Sequence, residues 1–117
     1  MLLIERVNKI AVLTLNRPEK RNALHPELVE GLLAALAQIA EDKILQVIVL
    51  TGSGNSFRAG LDLENTLSAA DPGYRLGRVF DLFRALRALP QPVIAAINGP
   101  AIAGGFVVGA ARFDGIL

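Results

Sequence analysis

Asn98-Gly99-Pro100-Ala101-Ile102-Ala103-Gly104-Gly105-Phe106-Val107-Val108-Gly109 is a glycine-punctuated run around which the other elements are arranged. It follows the apolar run Val93-Ile94-Ala95-Ala96-Ile97 and leads into small and apolar residues of helical character. A strand that breaks at Asn-Gly-Pro and restarts as a helix at Ala-Gly-Gly leaves its first backbone N–H groups without intrahelical acceptors. Such an end attracts negative charge. Gly104 and Gly105 carry no Cβ, so a ligand can lie directly against the backbone there. Two readings stand at this point: an oxyanion-binding helix terminus, and a glycine-rich strand-to-helix turn that simply packs tightly.

The 117 residues amount to one domain at most, and a chain of this size can bury roughly two thirds of its unfolded surface. A composition 52% hydrophobic and 20% charged excludes disorder and points to an interior of Leu, Val, Ile and Ala. A net charge of +1 lacks the clustered cations of a nucleic-acid surface. With no cysteine there is no disulfide framework, thiol nucleophile or cysteine metal site, which agrees with a cytoplasmic location. Met1-Leu2-Leu3-Ile4 runs into Glu5 and Arg6 before the apolar region of a secretion signal can form. Val93 to Ala111 imitates a membrane span, but Asn98-Gly99-Pro100 near its middle would break a spanning helix. The expectation is no membrane association.

Outward from that stretch, the chain alternates strands and helices. Leu2 to Val7 and Lys9 to Leu15 read as a hairpin joined at Asn8, a residue that tolerates tight-turn geometry. Asn16 to Asn22 is a polar loop carrying Arg17, Lys20 and Arg21, with Pro18 biasing Arg17 away from helical geometry. A helix is expected from Pro26 to about Asp42, with Leu28, Leu32, Leu36 and Ile39 forming its apolar face beside Val29, Leu33 and Ala40. Gln46 to Thr51 reads as a strand covered on both faces. The turn Gly52-Ser53-Gly54-Asn55-Ser56 lacks the Lys-Ser/Thr ending of a phosphate loop and the third glycine of a dinucleotide loop. In Phe57 to Leu63, Gly60 permits a sharp turn and Asp62 can cap a short helix. Asn65 to Tyr74 is expected to be a surface connection. A second helix from about Arg75 to Leu89, burying Leu76, Val79, Phe80, Phe83 and Leu86, then ends at Pro90 and Pro92. The pattern predicts an α/β domain with crossover connections.

Three blocks carry a resemblance. Leu13-Thr14-Leu15-Asn16-Arg17-Pro18-Glu19-Lys20-Arg21-Asn22-Ala23-Leu24, Phe57-Arg58-Ala59-Gly60-Leu61-Asp62-Leu63 and Ala96-Ile97-Asn98-Gly99-Pro100-Ala101-Ile102-Ala103-Gly104-Gly105 together resemble the enoyl-CoA hydratase/isomerase, or crotonase, family. The resemblance implies a crotonase-like α/β spiral of ββα units, of which residues 1–117 would be an incomplete N-terminal portion that binds acyl-CoA. It implies stabilisation of a thioester enolate by two backbone N–H groups, those of Leu61 and Gly104. Removing one donor of that kind typically costs about 3 to 4 kcal/mol. Arg17, Lys20, Arg21, Ala23, Ala59, Gly60, Asp62, Leu63 and Gly105 would form the substrate-binding surface. Lys20 and Arg21 would face the phosphates of coenzyme A, which is part of the substrate, so no separate cofactor is implied. The bland reading of those cations is a solvated loop.

The resemblance is not complete. Hydration of an enoyl thioester needs a general acid/base, commonly a carboxylate of tuned pKa, and the position of one family glutamate is held by Val107. The second would lie beyond Leu117. Asp62 reads as a cap, Glu64 as a surface charge, His25 as a helix-start residue, and Ser53 and Ser56 as turn residues. Ala111 to Leu117 departs from the family pattern. Whether this chain is an enzyme is therefore open, with two functions to weigh: thioester enolate chemistry in a homo-oligomer (a trimer or hexamer in the family), or a catalytically inactive binding or assembly unit.

Overall fold

Asn8 adopts a left-handed backbone, φ 57°, a region that Asn enters more readily than most residues. That turn folds β1 (Leu2–Val7) back on β2 (Ile10–Leu15) as an antiparallel hairpin. The computed structural model describes residues 2–20, 24–54, 71–96 and 115–116. After β2 come a single 3-10 turn (Pro18–Lys20), helix α1 (Pro26–Glu41), strand β3 (Val47–Gly52), helix α2 (Pro72–Ala88), strand β4 (Val93–Ala96) and the short strand β5 (Gly115–Ile116). The five strands form one sheet in the order β1-β2-β3-β4-β5. β2, β3, β4 and β5 are mutually parallel, and parallel neighbours require a crossover. α1 supplies the one between β2 and β3, and α2 lies in the one between β3 and β4.

Both helices pack on one face of the sheet. Ala11, Leu13 and Leu15 of β2, Ile48 and Leu50 of β3, and Val93 and Ala95 of β4 meet Leu28, Leu32, Leu36 and Ile39 of α1 and Val79, Leu82 and Leu86 of α2. α1 follows its expected bounds closely. Its apolar face includes Ala35 instead of Ala40, which is exposed, and Leu33 is only partly buried.

Three expectations need correction. Asp71-Pro72-Gly73-Tyr74 is not a surface connection but the start of α2: the Asp71 carboxylate accepts from the Tyr74 N–H at 2.9 Å, and Pro72 takes the first turn, where its missing N–H costs nothing. The seam that α2 turns to the sheet is Val79-Leu82-Leu86, so Leu76 and Phe80, expected inside, are 37% and 57% exposed. β3 is covered on one face rather than two, since Ile48 and Leu50 are buried while Val47, Val49 and Thr51 are half-buried. Near the end of the chain, Gly115–Ile116 adds a strand parallel to β4, in a stretch whose sequence departs from the family pattern. Among the described residues no helix is long and apolar enough to cross a membrane. Residues 97–111 of the membrane-like stretch lie outside the described residues.

Ionic and polar clasps hold the helices in place. Arg78 of α2 grips Glu30 of α1 through two hydrogen bonds, Nε to Oε2 at 2.9 Å and a terminal nitrogen to Oε1 at 2.8 Å. Asp81 receives Arg78 at 3.0 Å and Arg84 at 2.6 Å. Asp42, at the end of α1, accepts from Arg6 of β1 and from the backbone N–H groups of Ile44 (2.9 Å) and Leu45 (3.3 Å). The Gln91 amide donates to the carbonyls of Ile39 (2.8 Å) and Asp42 (3.1 Å), tying the entry to β4 to the end of α1.

Leu28 has no exposed surface, so Leu28→Ala should lower the urea unfolding free energy by about 2 to 5 kcal/mol, whereas Leu76→Ala should cost far less. The hydrogen bond from Arg78 holds the Glu30 carboxyl below its ordinary value, Arg6 and the Ile44 N–H do the same for Asp42, and Arg84 and then Arg78 for Asp81. Depressed folded-state values mean that the native state binds fewer protons than the unfolded chain. These contributions are therefore present above the ordinary carboxylate range, about pH 4, and are lost as pH falls through the folded values. Replacing Arg78 with Gln should make the acid limb of a stability-versus-pH profile shallower, and an unchanged slope would contradict the assignment.

Candidate functional site

Because β2, β3 and β4 are parallel, their carboxyl ends reach the same edge of the sheet: Leu15 lies beside Gly52, and Thr51 beside Ala96. In α/β sheets that edge is where ligands bind. Each of the three blocks singled out in the sequence leaves the sheet at one of these ends, or shortly beyond it. The first continues as Asn16-Arg17-Pro18, the second is entered through Ser53-Gly54, and the third begins at Ala96.

Short contacts bind the three exits together. The Ser53 N–H donates to the Leu15 carbonyl at 2.8 Å. Its hydroxyl, with one proton to give, lies 2.9 Å from Asn16 Oδ1 and 3.2 Å from the same carbonyl. Gly54 sits at φ 77°, and a Cβ built there would stand 2.8 Å from Pro18 Cβ, so only glycine lets these loops approach so closely. The Thr51 hydroxyl donates to the Ala96 carbonyl at 2.8 Å, joining the exits of β3 and β4. None of these partners is signalled by local sequence pattern, although a Ser-Gly-Asn turn does announce a glycine with positive φ.

Of the residues expected at the site, Arg17 is 8% exposed and already engaged with other groups. Lys20 closes the 3-10 turn. Arg21, Ala23, Ala59, Gly60, Leu61, Asp62, Leu63, Gly104 and Gly105 lie outside the described residues, as do Ser56, Glu64 and Val107. His25 is the cap of α1: its Nδ1 accepts from the Glu27 N–H at 3.1 Å, which occupies that nitrogen locally. Among the described residues no group of three His, Cys, Asp or Glu side chains could hold a metal ion. An open groove of about 390 Å³ lies at the opposite, amino edge, between Asp42, Lys43, Gln46 and Pro90 to Pro92. Its one carboxylate, Asp42, is already occupied by Arg6, Ile44 and Leu45, so chemistry is better sought at the carboxyl edge.

Residues 5–112 match the family model for enoyl-CoA hydratase/isomerase. A probable enoyl-CoA hydratase of Mycobacterium bovis is 45% identical over 105 residues, covering 90% of this chain and 42% of the relative. A putative enoyl-CoA hydratase of Thermus thermophilus is 41% identical over 110 residues, covering 90% and 43%. The crystal structure of enoyl-CoA hydratase from Bacillus anthracis superposes with a TM-score of 0.91 at 32% identity, over 98% of this chain and 46% of that one. The Mycobacterium smegmatis enoyl-CoA hydratase gives 0.91 at 35%, over 97% and 46%. The chain thus spans less than half the length of each of these four relatives. With the sequence match covering nearly the whole chain, and with crotonase-fold structures superposing over 98% of it, the chain belongs to the enoyl-CoA hydratase/isomerase family.

Proposed function

We propose that residues 1–117 are the N-terminal portion of an acyl-CoA-binding domain that holds a thioester at the carboxyl edge of its sheet and stabilises the enolate formed beside the carbonyl. The observation that carries this reading is the convergence of three loop exits, held by Ser53 on Leu15 and Asn16, Gly54 on Pro18, and Thr51 on Ala96. The N–H groups of Leu61 and Gly104 are the proposed oxyanion donors. In a dry site they would hydrogen-bond the thioester carbonyl and hold more strongly the charge that grows on it as the enolate forms. Lys20 and Arg21 would meet the coenzyme A phosphates, with Arg17, Ala23, Ala59, Gly60, Asp62, Leu63 and Gly105 completing the binding surface. Coenzyme A enters as part of the substrate, and the reading calls for no further cofactor or metal. The setting would be cytoplasmic fatty acid metabolism, in a homo-oligomer.

Val107 cannot move a proton, so a carboxylate elsewhere would have to complete a hydratase or isomerase cycle. The same residue favours a second reading, a catalytically inactive unit for binding or assembly. The exposed Leu76 and Phe80 favour it too.

Calorimetric titration of the folded chain with acetyl-CoA or crotonyl-CoA tests the proposal. Saturable heat is expected, and its absence would remove the binding reading. Gly104→Pro deletes one proposed donor and should weaken thioester affinity about tenfold or more, whereas unchanged affinity would overturn the assignment of that N–H. Gly54→Ala forces a Cβ toward Pro18 at positive φ. It should cost about 1 to 3 kcal/mol of stability and weaken thioester binding as the first two loops separate.

A further inference from the structure

The hydroxyls that tie the strand exits together serve different pairs of loops. Ser53 joins the exit of β3 to that of β2, its N–H on the Leu15 carbonyl and its hydroxyl 2.9 Å from Asn16 Oδ1. Thr51 joins the exit of β3 to that of β4, its hydroxyl donating to the Ala96 carbonyl at 2.8 Å. Ala96 is the last residue of β4, so this bond falls where the ladder ends. Thr51 stands on the sheet face away from the helices, with Thr14 beside it on β2 and Ala96 beside it on β4. A valine would have the same shape there and a similar preference for a strand. What the hydroxyl adds is the bond to Ala96.

The segments that follow these exits carry different parts of the proposed ligand site. Lys20 and Arg21, assigned to the coenzyme A phosphates, follow β2 in sequence, whereas Leu61 follows β3 and Gly104 follows β4. The spacing of the β2 and β3 exits therefore bears on the coenzyme A part, and that of the β3 and β4 exits on the two N–H donors. Convergence of two main-chain donors on one oxygen is exacting, since a misplacement of about 1 Å can cost on the order of a hundredfold in rate. A phosphate met by long, flexible cationic side chains tolerates more. We infer that Thr51 is a positioning residue for the enolate oxygen, acting through the Ala96 carbonyl, while Ser53 positions the loop that receives coenzyme A. The inference rests on the thioester reading above and divides its site between two hydroxyls.

Acetoacetyl-CoA separates the two roles. This β-keto thioester loses its acidic α-proton to water without a protein base, and the enolate left behind absorbs in the near ultraviolet. Donors aimed at the enolate oxygen favour the charged form, so on the unmodified chain the enolate share of bound ligand should exceed that in free buffer. Thr51→Val, with its circular dichroism retained, should lower the bound enolate-to-keto ratio about tenfold and leave the affinity for coenzyme A itself close to its original value. Thr51→Ala should lose the ratio in the same way, and Thr51→Ser, which keeps the hydroxyl, should restore it. Ser53→Ala should do the reverse, weakening coenzyme A more than it changes the ratio. A ratio unmoved in Thr51→Val and Thr51→Ala, a loss that Thr51→Ser does not restore, or a coenzyme A affinity that falls in step with the ratio would overturn the role of Thr51 and leave the thioester reading standing. An unmodified chain that binds acetoacetyl-CoA without raising its enolate share, or does not bind it, would overturn both.

Discussion

The parallel register of β2, β3 and β4 is the constraint on which the rest depends. Pairing Leu15 with Gly52 and Thr51 with Ala96 leaves three successive strands ending at one edge, and whatever follows each of them starts from that edge. A one-residue slip would turn every side chain of a strand to the other face, moving Leu13, Leu50 and Ala95 out of the core and carrying the exits with them. Burial and site geometry are therefore set by the same pairing. The Leu and Ile residues that fill the helix side hold the register, and the register positions the loops.

Local contacts then reduce the freedom of those loops. Thr51 and Ser53 spend their hydroxyls on neighbouring strand exits, and Gly54 admits Pro18 to a distance that no other residue would allow. Such contacts lower the entropy left to be lost when a ligand binds, which is how preorganisation raises affinity without new ligand contacts. The helices are braced by ion pairs at half-exposed positions such as Glu30 and Arg78. Surface pairs of that kind contribute little individually, so the apolar packing beneath α1 and α2 is the main support of the frame.

Much of this frame was legible from residues alone. The hairpin at Asn8, α1 from Pro26, β3 and β4 follow from periodicity and turn chemistry, because each signal is local. In sequence Pro72-Gly73 looks like a loop, while the capping carboxylate of Asp71 and a proline tolerated in the first turn make it the start of α2. The buried face of α2 is not legible because apolar residues lie on two flanks of the helix and composition does not say which one meets the sheet. The braces at the candidate site were not legible: Ser53 and Asn16, or Gly54 and Pro18, meet only after β2 and β3 have paired. The family resemblance came instead from three separated blocks, and their loop exits prove to be neighbours in space.

The proposed thioester site lies at the edge where these strands end. Following backbone amide resonances of the labelled chain during titration with acetyl-CoA addresses it most directly. The account predicts perturbations concentrated at Arg17, Ser53, Gly54 and Ala96. Shifts confined to Lys43, Gln46 and Gln91 at the amino edge would contradict it.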